Sequence, residues 1–353
     1  MIEVLSQLRA SGTLVGRGSH TTRLSANQAQ GKMRRREVIA GLGSAVACPL
    51  IARAEQTKLP VIGRLIAATL PPATLAAFRG ALAEHGYVEG RNVAILDRLA
   101  EGEYDRLPAL AAELVRQNVA VLVTTPTTPA ALAAQAATRT IPIVFVIGTN
   151  PVEYGLVTSL ARPGGNITGF TGLVAEMNAK RLDLLHELVP NASLIALIAN
   201  PLNSAEIREV ERAAAVIGVR LLILRVSNLE EVEEAFVTLV AQRAGALLVS
   251  GDPTFFVWRE RLATLAARHA VPAIYLYREI VEAGGLMSYA MSFVEGYRAV
   301  GAYAARILNG EKPADLPVQQ SSKSEFVINL KAAKALGIEV PADILVRADE
   351  VIE

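Results

Sequence analysis

The chain has 353 residues, of which 52% are apolar and 20% are charged, and its formal net charge is +1. This composition is typical of a globular protein and excludes a disordered or fibrous one. One cysteine and four histidines without metal-ligand spacing exclude a disulfide framework and a cysteine-rich zinc site, so we predict no metal and no cofactor. The length exceeds the roughly 250–300 residues at which single cores stop growing, which predicts two lobes.

Charge is distributed unevenly along the chain. Residues 1–54 contain eight basic and two acidic side chains, which leaves 27 basic and 32 acidic ones, a net charge of −5, in residues 55–353. A mildly acidic body argues against a nucleic-acid-binding groove.

Residues 33–54 have the pattern of an export signal. Three arginines at 34–36 precede an apolar run of 14 residues at 38–51, and Ala52-Arg53-Ala54 has the small-x-small form of a cleavage site. The arginine pair followed by Glu37 and two apolar residues also fits the twin-arginine pattern. An apolar run this short does not span a membrane, which takes about 20 residues. We therefore predict a periplasmic mature protein without a transmembrane segment; an ordinary N-terminal helix is the alternative.

The position of this signal bears on the start of the chain. Residues 1–32 are polar and lack apolar periodicity. We expect Met33 to be the true start and residues 1–32 to be a mis-called or disordered extension. Cys48 resembles a lipoprotein acceptor site only weakly, because Leu is absent from the position three residues before it, so lipid anchoring is not favoured.

From residue 59 onward, short apolar runs alternate with amphipathic segments. In chain order, the pattern first predicts a strand at 60–68, a helix at 70–90, a strand at 92–100, a helix at 104–118, a strand at 119–125, a helix at 127–138, a strand at 141–148 and a helix at 151–161. It then predicts a helix at 180–190, a strand at 193–200, a helix at 203–217, a strand at 220–227, a helix at 229–243, a strand at 245–251, a helix at 255–269, a strand at 272–277, a helix at 278–283, a strand at 285–290, a helix at 293–310, a strand at 325–330 and a helix at 331–337.

The strand runs are continuously apolar, as in parallel sheets covered by helices on both faces. The fold class predicted is α/β, with two doubly wound parallel-sheet lobes and a ligand cleft between them. The Gly- and Pro-rich segment 162–172 is the predicted crossing between the lobes. We assign 59–166 plus about 290–322 to the first lobe and 167–289 plus about 323–345 to the second.

Candidate ligand-binding residues follow the strands, where the cleft of such a sheet lies. In the first lobe, hydroxyls and free N–H groups at a helix start suit a carboxylate, and helix capping is the alternative role. These candidates are Thr69, Thr125, Thr127, Thr128, Thr149 and Asn150.

The second lobe supplies a different set of candidates. The loop Ser250-Gly251-Asp252 is the favoured partner for an ammonium or hydroxyl group, Phe255 offers a stacking face, and amides and hydroxyls complete the set. Turn formation and core packing are the alternative roles. The candidates are Asn200, Asn203, Ser250, Asp252, Phe255, Tyr275 and Tyr289.

Several stretches are recognisable, among them "FRGALAEHGYVEGRNVAI" (78–95), "NPVEYGLVTSLARPGGNITG" (150–169), "RAGALLVSGDPTFF" (243–256) and "ILNGEKPADLPVQQ" (307–320). Over nearly all of 59–353 the chain resembles the ABC-transporter substrate-binding proteins of the tryptophan/tyrosine-uptake-like family. The resemblance implies a type I periplasmic-binding-protein fold, capture of a small molecule by lobe closure, delivery to a membrane permease, and no enzymatic activity. It favours aromatic or branched amino acids as ligands. Asn150 stands where many members carry an acidic residue, which weakens the inference to an amino acid.

Three other functions fit a doubly wound fold. An enzyme is disfavoured because we find no G-x-G-x-x-G after a strand, no P-loop, no G-x-S-x-G and no nucleophile–histidine pair. The effector part of a transcription regulator would need a DNA-binding module where the export signal lies. A ligand-binding sensor of the same fold is not separated from an importer component by the sequence.

Overall fold

The structure, a computed structural model, describes residues 59–172, 174–321 and 323–353. The predicted extension 1–32, the predicted signal 33–54 and Cys48 lie outside the described residues.

Strands and helices alternate through most of the described chain. The strands are β1 Val61–Ile66, β2 Ala94–Leu99, β3 Val121–Thr125, β4 Ile143–Ile147, β5 Ile167–Thr171, β6 Leu194–Ala199, β7 Arg220–Arg225, β8 Ala246–Val249, β9 Ala273–Tyr275, β10 Met287–Met291, β11 Gln319–Gln320, β12 Ser324–Asn329 and β13 Glu350–Ile352. The α-helices are α1 Pro72–Glu84, α2 Leu107–Arg116, α3 Thr128–Ala137, α4 Val174–Leu188, α5 Ser204–Ile217, α6 Leu229–Ala241, α7 Pro253–Val257, α8 Arg259–Arg268, α9 Arg278–Glu282, α10 Phe293–Leu308, α11 Leu330–Ala335 and α12 Ala342–Arg347. Short 3-10 helices lie at Tyr104–Arg106 and Pro313–Asp315.

These elements form two sheets and confirm the predicted α/β class with two lobes. The first sheet has the order β11-β5-β4-β3-β1-β2, and the second has the order β13-β12-β10-β9-β8-β6-β7. The pairings are parallel except for β10 with β12, which is antiparallel, so the second sheet is mixed. We call the first sheet with its helices the first lobe, and the second sheet with its helices the second lobe.

Each sheet is covered by helices on both faces. Leu122 and Phe145 belong to one buried cluster of the first lobe, whereas their neighbours Val121 and Val144 belong to another on the opposite face. The strands β3, β4, β5, β8 and β9 are buried at every residue. This double coverage explains why the strands have continuous apolar sequences.

The predicted lobe boundary needs a correction at β5. The segment 162–172 was predicted as a crossing and 167 as the first residue of the second lobe, but Ile167–Thr171 pairs with β4 in the first sheet. Gly169 permits this pairing, since a Cβ there would lie 2.2 Å from the carbonyl oxygen of Phe145. The chain crosses to the second lobe after Gly172 and returns to the first after Met291, with α10 packed on α1.

Two predicted helices also differ from the structure. The segment predicted as a helix at 151–161 contains turns, because the N–H groups of Leu156 and Val157 both donate to the carbonyl of Pro151 and the helix does not continue. The helix predicted at 255–269 is divided at Trp258 into α7 and α8. The strands β11 and β13 and helix α12 were not predicted.

Candidate functional site

A cleft lies between the lobes, at the carboxyl ends of strands of both sheets. The empty space in and in front of this cleft, open solvent included, is about 450 Å³. The first lobe lines it with Tyr104, Pro126, Thr127, Thr128, Pro129, Gly148 and Thr149, and the second lobe with Asn203, Glu206, Glu209, Gly251, Asp252 and Pro253. The position agrees with the rule that ligands of open α/β sheets bind outside the carboxyl ends of the strands.

The first-lobe wall of the cleft is neutral and rich in hydroxyls. Thr127 caps the N-terminus of α3, since its Oγ1 accepts a hydrogen bond of 3.3 Å from the N–H of Ala130. The hydroxyls of Thr128 and Thr149 are 2.7 Å apart. The α3 N-terminus therefore faces the cleft together with these hydroxyls, an arrangement that favours a negatively charged group.

The second-lobe wall carries three carboxylates, of which Glu206 is held in a buried network. Its Oε1 accepts from the N–H of Gly251 at 2.7 Å and lies 3.3 Å from Nη2 of Arg181, and its Oε2 accepts from Nδ2 of Asn203 at 2.7 Å. Arg181 is fully buried, donates to the carbonyl of Val249 at 2.9 Å and also contacts Asn178. Burial raises the pKa of Glu206, and the nearby guanidinium of Arg181 opposes that shift.

Asp252 is the second carboxylate, and it joins the two lobes. The hydroxyl of Tyr104, from the first lobe, donates to its Oδ2 at 2.6 Å. Its Oδ1 accepts from the backbone N–H of Thr254 at 2.9 Å and from the Thr254 hydroxyl at 2.5 Å, so Asp252 caps α7. Burial raises the pKa of Asp252, and burial beside this carboxyl raises the pKa of Tyr104.

The backbone beside Tyr104 also touches the second lobe. Gly102 has φ = +87°, and a Cβ there would lie 2.9 Å from Cγ2 of Thr254. A larger residue would push against the second lobe at this point.

Glu209 is the third carboxylate, and it differs from the other two. Its Oε2 is buried, and it has no hydrogen-bond partner within the described part of the chain. Desolvation, followed by repulsion from Glu206 and Glu153, raises its pKa to about 7, although Arg212 and Arg208 oppose the shift. The cleft therefore contains one carboxylate whose hydrogen-bonding capacity is unused.

The structure describes all of the predicted site residues and places five of them on the cleft wall. These are Thr127, Thr128, Thr149, Asn203 and Asp252. They come from both lobes and from loops that follow β3, β4, β6 and β8, as the strand-end rule predicts.

The other predicted residues do not line this cleft. In the first lobe, Thr69 is exposed, and Thr125 is buried within β3. The side chain of Asn150 shapes the next turn, since its Oδ1 accepts from the N–H of Val152 at 3.1 Å and its Nδ2 donates to Glu153 at 3.2 Å.

In the second lobe, the predicted residues that do not line the cleft form turns, pack in the core or lie elsewhere on the lobe. Asn200 accepts from the N–H of Leu202 at 3.0 Å, and Ser250 is buried. Phe255 is fully buried and packs edge-on against Trp258. Tyr275 is the last residue of β9 and lines a separate groove, and the hydroxyl of Tyr289 donates to Ser324 at 3.0 Å.

Sequence reasoning missed Tyr104, Glu206, Glu209 and the supporting Arg181. Glu206 and Glu209 lie three residues apart in the first turns of α5, which begins directly after the β6 loop. That spacing places them on one face of the helix. The position after a strand end was the available signal, but the segment "EIREVERAA" (206–214) has the composition of a solvated helix surface.

Among residues 59–172, 174–321 and 323–353, no group of His, Cys, Asp and Glu side chains could hold a metal ion. In the same part of the chain, no helix has both the length and the hydropathy needed to cross a membrane.

Residues 71–352 match a family described as ABC transporter substrate binding protein. A relative named tyrosine-binding protein, from Clostridioides difficile (strain R20291), is 30% identical over 266 residues, which are 74% of this chain and 76% of the relative.

Two solved structures are also similar. One is an ABC domain from Streptococcus pneumoniae in complex with L-Trp, with 26% identity and a TM-score of 0.75 over 83% of this chain and 100% of that one. The other is the ligand-free, open structure of a substrate-binding protein with adhesive properties from Clostridium difficile. It has 26% identity and a TM-score of 0.59 over 84% of this chain and 99% of that one.

Proposed function

The chain belongs to the ABC transporter substrate-binding protein family, and from this we propose that it captures an amino acid in the interlobe cleft and delivers it to the membrane permease of an ABC importer. The observation that carries the proposal is the difference in charge between the two walls of the cleft. Hydroxyls and a helix N-terminus line one wall, and carboxylates line the other. A zwitterion has one group for each wall.

In this proposal, the ligand's carboxylate lies against the first lobe. Thr127, Thr128 and Thr149 offer hydroxyls beside the positive end of the α3 dipole. The ligand's ammonium group lies against the carboxylates of the second lobe, where favourable charge and the low dielectric of the enclosed cleft strengthen the interaction. The names of the C. difficile tyrosine-binding protein and of the L-Trp complex support aromatic amino acids as the first ligands to test.

We further propose that the lobes close around the ligand. The hydrogen bond from Tyr104 to Asp252 spans the cleft, as a bond of the closed form would. The higher TM-score with the L-Trp complex than with the ligand-free, open structure, at equal identity, supports the same assignment. Closure in this proposal buries the ligand and forms the surface that the permease binds.

The proposal includes export. A substrate-binding protein of an importer acts outside the cytoplasm, and the pattern of 33–54 fits a signal that is cleaved after Ala54. Expression of the full chain followed by cell fractionation and N-terminal sequencing of the exported protein tests this. A full-length chain retained in the cytoplasm would contradict it.

A thermal-shift and calorimetry screen tests the ligand class. The panel contains the common amino acids, nucleosides, sugars and small aromatic acids. At a free ligand concentration of 100 times Kd, stabilisation of about 2.7 kcal/mol is expected for the true ligand class, and the ligand should be recovered unchanged. Stabilisation by sugars or nucleosides alone would contradict the amino-acid assignment, and recovery of a chemically altered ligand would contradict a binding function.

A further inference from the structure

We propose that Glu209 is the residue that accepts the ammonium group of the bound ligand. The inference rests on the proposed function, because it assigns one group of the amino acid to one atom of the cleft. It differs from the sequence-based expectation, which favoured the loop Ser250-Gly251-Asp252 for that role.

The other two carboxylates of the cleft already accept hydrogen bonds from the protein. Both oxygens of Glu206 accept hydrogen bonds, from Arg181 and Gly251 at Oε1 and from Asn203 at Oε2. Both oxygens of Asp252 also accept hydrogen bonds, from Tyr104 at Oδ2 and from Thr254 at Oδ1. Each of these carboxylates therefore already accepts hydrogen bonds from the protein at both of its oxygens.

Glu209 has no such donors. Its Oε2 is buried within the cleft wall, and no donor among the described residues reaches it. Burial removes water from such an oxygen, and this desolvation costs free energy unless another group donates a hydrogen bond to it. A ligand N–H that enters the cleft supplies that missing bond.

The surroundings of Glu209 favour a positive partner. Glu206 on the same helix and Glu153 of the first lobe both repel the charge of Glu209 and raise its pKa. The charge of Glu209 in turn helps to raise the pKa of Tyr154. The basic groups facing it are Arg208 and Arg212 on its own helix, and neither forms an ion pair with it in the described chain. A ligand cation at Glu209 therefore meets a carboxylate that no arginine of the described chain pairs with.

This environment also makes binding depend on pH. The pKa of Glu209 is about 7 without ligand, and an ammonium beside it lowers that value. Ligand affinity should then rise as the pH rises through about 7 and level off near pH 8, because the carboxyl must lose its proton to accept the ammonium.

The experiment compares Glu209→Gln with Glu211→Gln, a change at an exposed position two residues further along the same helix. Isothermal titration calorimetry measures two pairs of probes: L-tyrosine with 3-(4-hydroxyphenyl)propanoate, and L-tryptophan with indole-3-propanoate. The second member of each pair lacks only the ammonium group.

The expected results are specific to the ammonium group. Glu209→Gln should weaken binding of the amino acids by about 10- to 100-fold, the loss expected for a charged hydrogen bond, and should change binding of the desamino acids by less than about threefold. Wild-type affinity for the amino acid should fall by about tenfold from pH 8 to pH 5.5, whereas that of the variant should not. Glu211→Gln should match the wild type throughout.

Three outcomes would overturn parts of the account. Equal amino-acid affinity in Glu209→Gln and wild type would remove the inference and leave the proposed function standing. An equal loss for amino and desamino probes would assign Glu209 a structural role instead. Failure of the wild-type protein to bind any of the four probes would reject both the aromatic amino-acid ligand and the role of Glu209.

Discussion

The two walls of the cleft are built in different ways. The first-lobe wall is made of hydroxyls at the start of a helix, and the hydroxyls of Thr128 and Thr149 form a hydrogen bond with each other. The second-lobe wall is made of carboxylates, two of which are fixed by buried donors that include Arg181 and Tyr104. In the proposed function, this difference divides recognition of the opposite ends of a ligand between the lobes, so that neither lobe alone provides a complete site.

The largest effect is expected from removing Arg181, the buried cation that supports the second-lobe wall. Arg181→Met leaves Glu206 buried without its charge partner, and the loss of one member of a buried pair costs about 3–5 kcal/mol in the free energy of unfolding. Arg298→Met, which breaks an exposed pair with Glu84, should cost less than about 1 kcal/mol. Urea unfolding of both variants measures the two values, and similar losses would show that the Glu206 network is not what holds this wall.

The next effect concerns the bond between the walls. Tyr104→Phe removes the donor to Asp252, and a hydrogen bond to a charged group contributes about 1.5–3 kcal/mol. The variant should bind amino acid about tenfold more weakly and should have a larger radius of gyration without ligand by small-angle X-ray scattering. Tyr289→Phe, whose lost bond to Ser324 lies within the second lobe, is the control. An unchanged radius of gyration and affinity in Tyr104→Phe would contradict a role of this bond in closure.

The third effect separates binding from stability at Glu209. Because folding raises the pKa of this carboxyl from 4.5 to about 7, the folded chain binds more protons than the unfolded chain in that window, and stability falls as the pH rises through it. Glu209→Gln removes this pH-dependent decrease in the free energy of unfolding. The variant should therefore be more stable than the ligand-free wild type by about 1–2 kcal/mol at pH 8, a value reduced to allow for partial exposure of the side chain. At pH 4.5 the two proteins should have nearly the same stability. Urea unfolding at both pH values measures this. An equal effect at both would be inconsistent with a titrating Glu209.

The smallest effect sharpens the role of the first-lobe wall. Thr128→Val removes one hydroxyl from the proposed carboxylate position and should cost about 1 kcal/mol, roughly a fivefold loss of L-tyrosine affinity. Tyramine, which lacks the carboxylate, should bind the variant and the wild type equally. Thr140→Val, at an exposed position beyond the end of α3, serves as the control. A fivefold loss for tyramine as well would assign Thr128 to packing instead.

The sequence predicts most of the fold because its information is local. Continuous apolar runs such as Ile143–Ile147 indicate strands buried on both faces, and they are found there. The strand β5 is missed because its Thr and Gly residues resemble a loop, and only its pairing with β4 makes it a strand. The turns at 151–161 were predicted as helix because the apolar spacing does not reveal that two N–H groups share the carbonyl of Pro151.

The site is predicted less completely, for a related reason. Strand-end loops identify Thr127, Thr149 and Asp252, since topology brings such loops to one edge. Glu209 is missed because its proposed role rests on the absence of any donor to its Oε2 among residues 59–172, 174–321 and 323–353, and a sequence does not show which carboxylates already have donors. Tyr275 was placed in the cleft from its position at a strand end, but its side chain is directed into the core and a groove elsewhere.

The most direct test of opposite walls for opposite charges is a crystal structure of the protein with whichever of L-tyrosine and L-tryptophan it binds more tightly. The account predicts the ligand's ammonium nitrogen within hydrogen-bond distance of Glu209, and its carboxylate oxygens beside the hydroxyls of Thr127, Thr128 and Thr149. An amino acid bound in the reverse orientation, or bound outside the interlobe cleft, would contradict it.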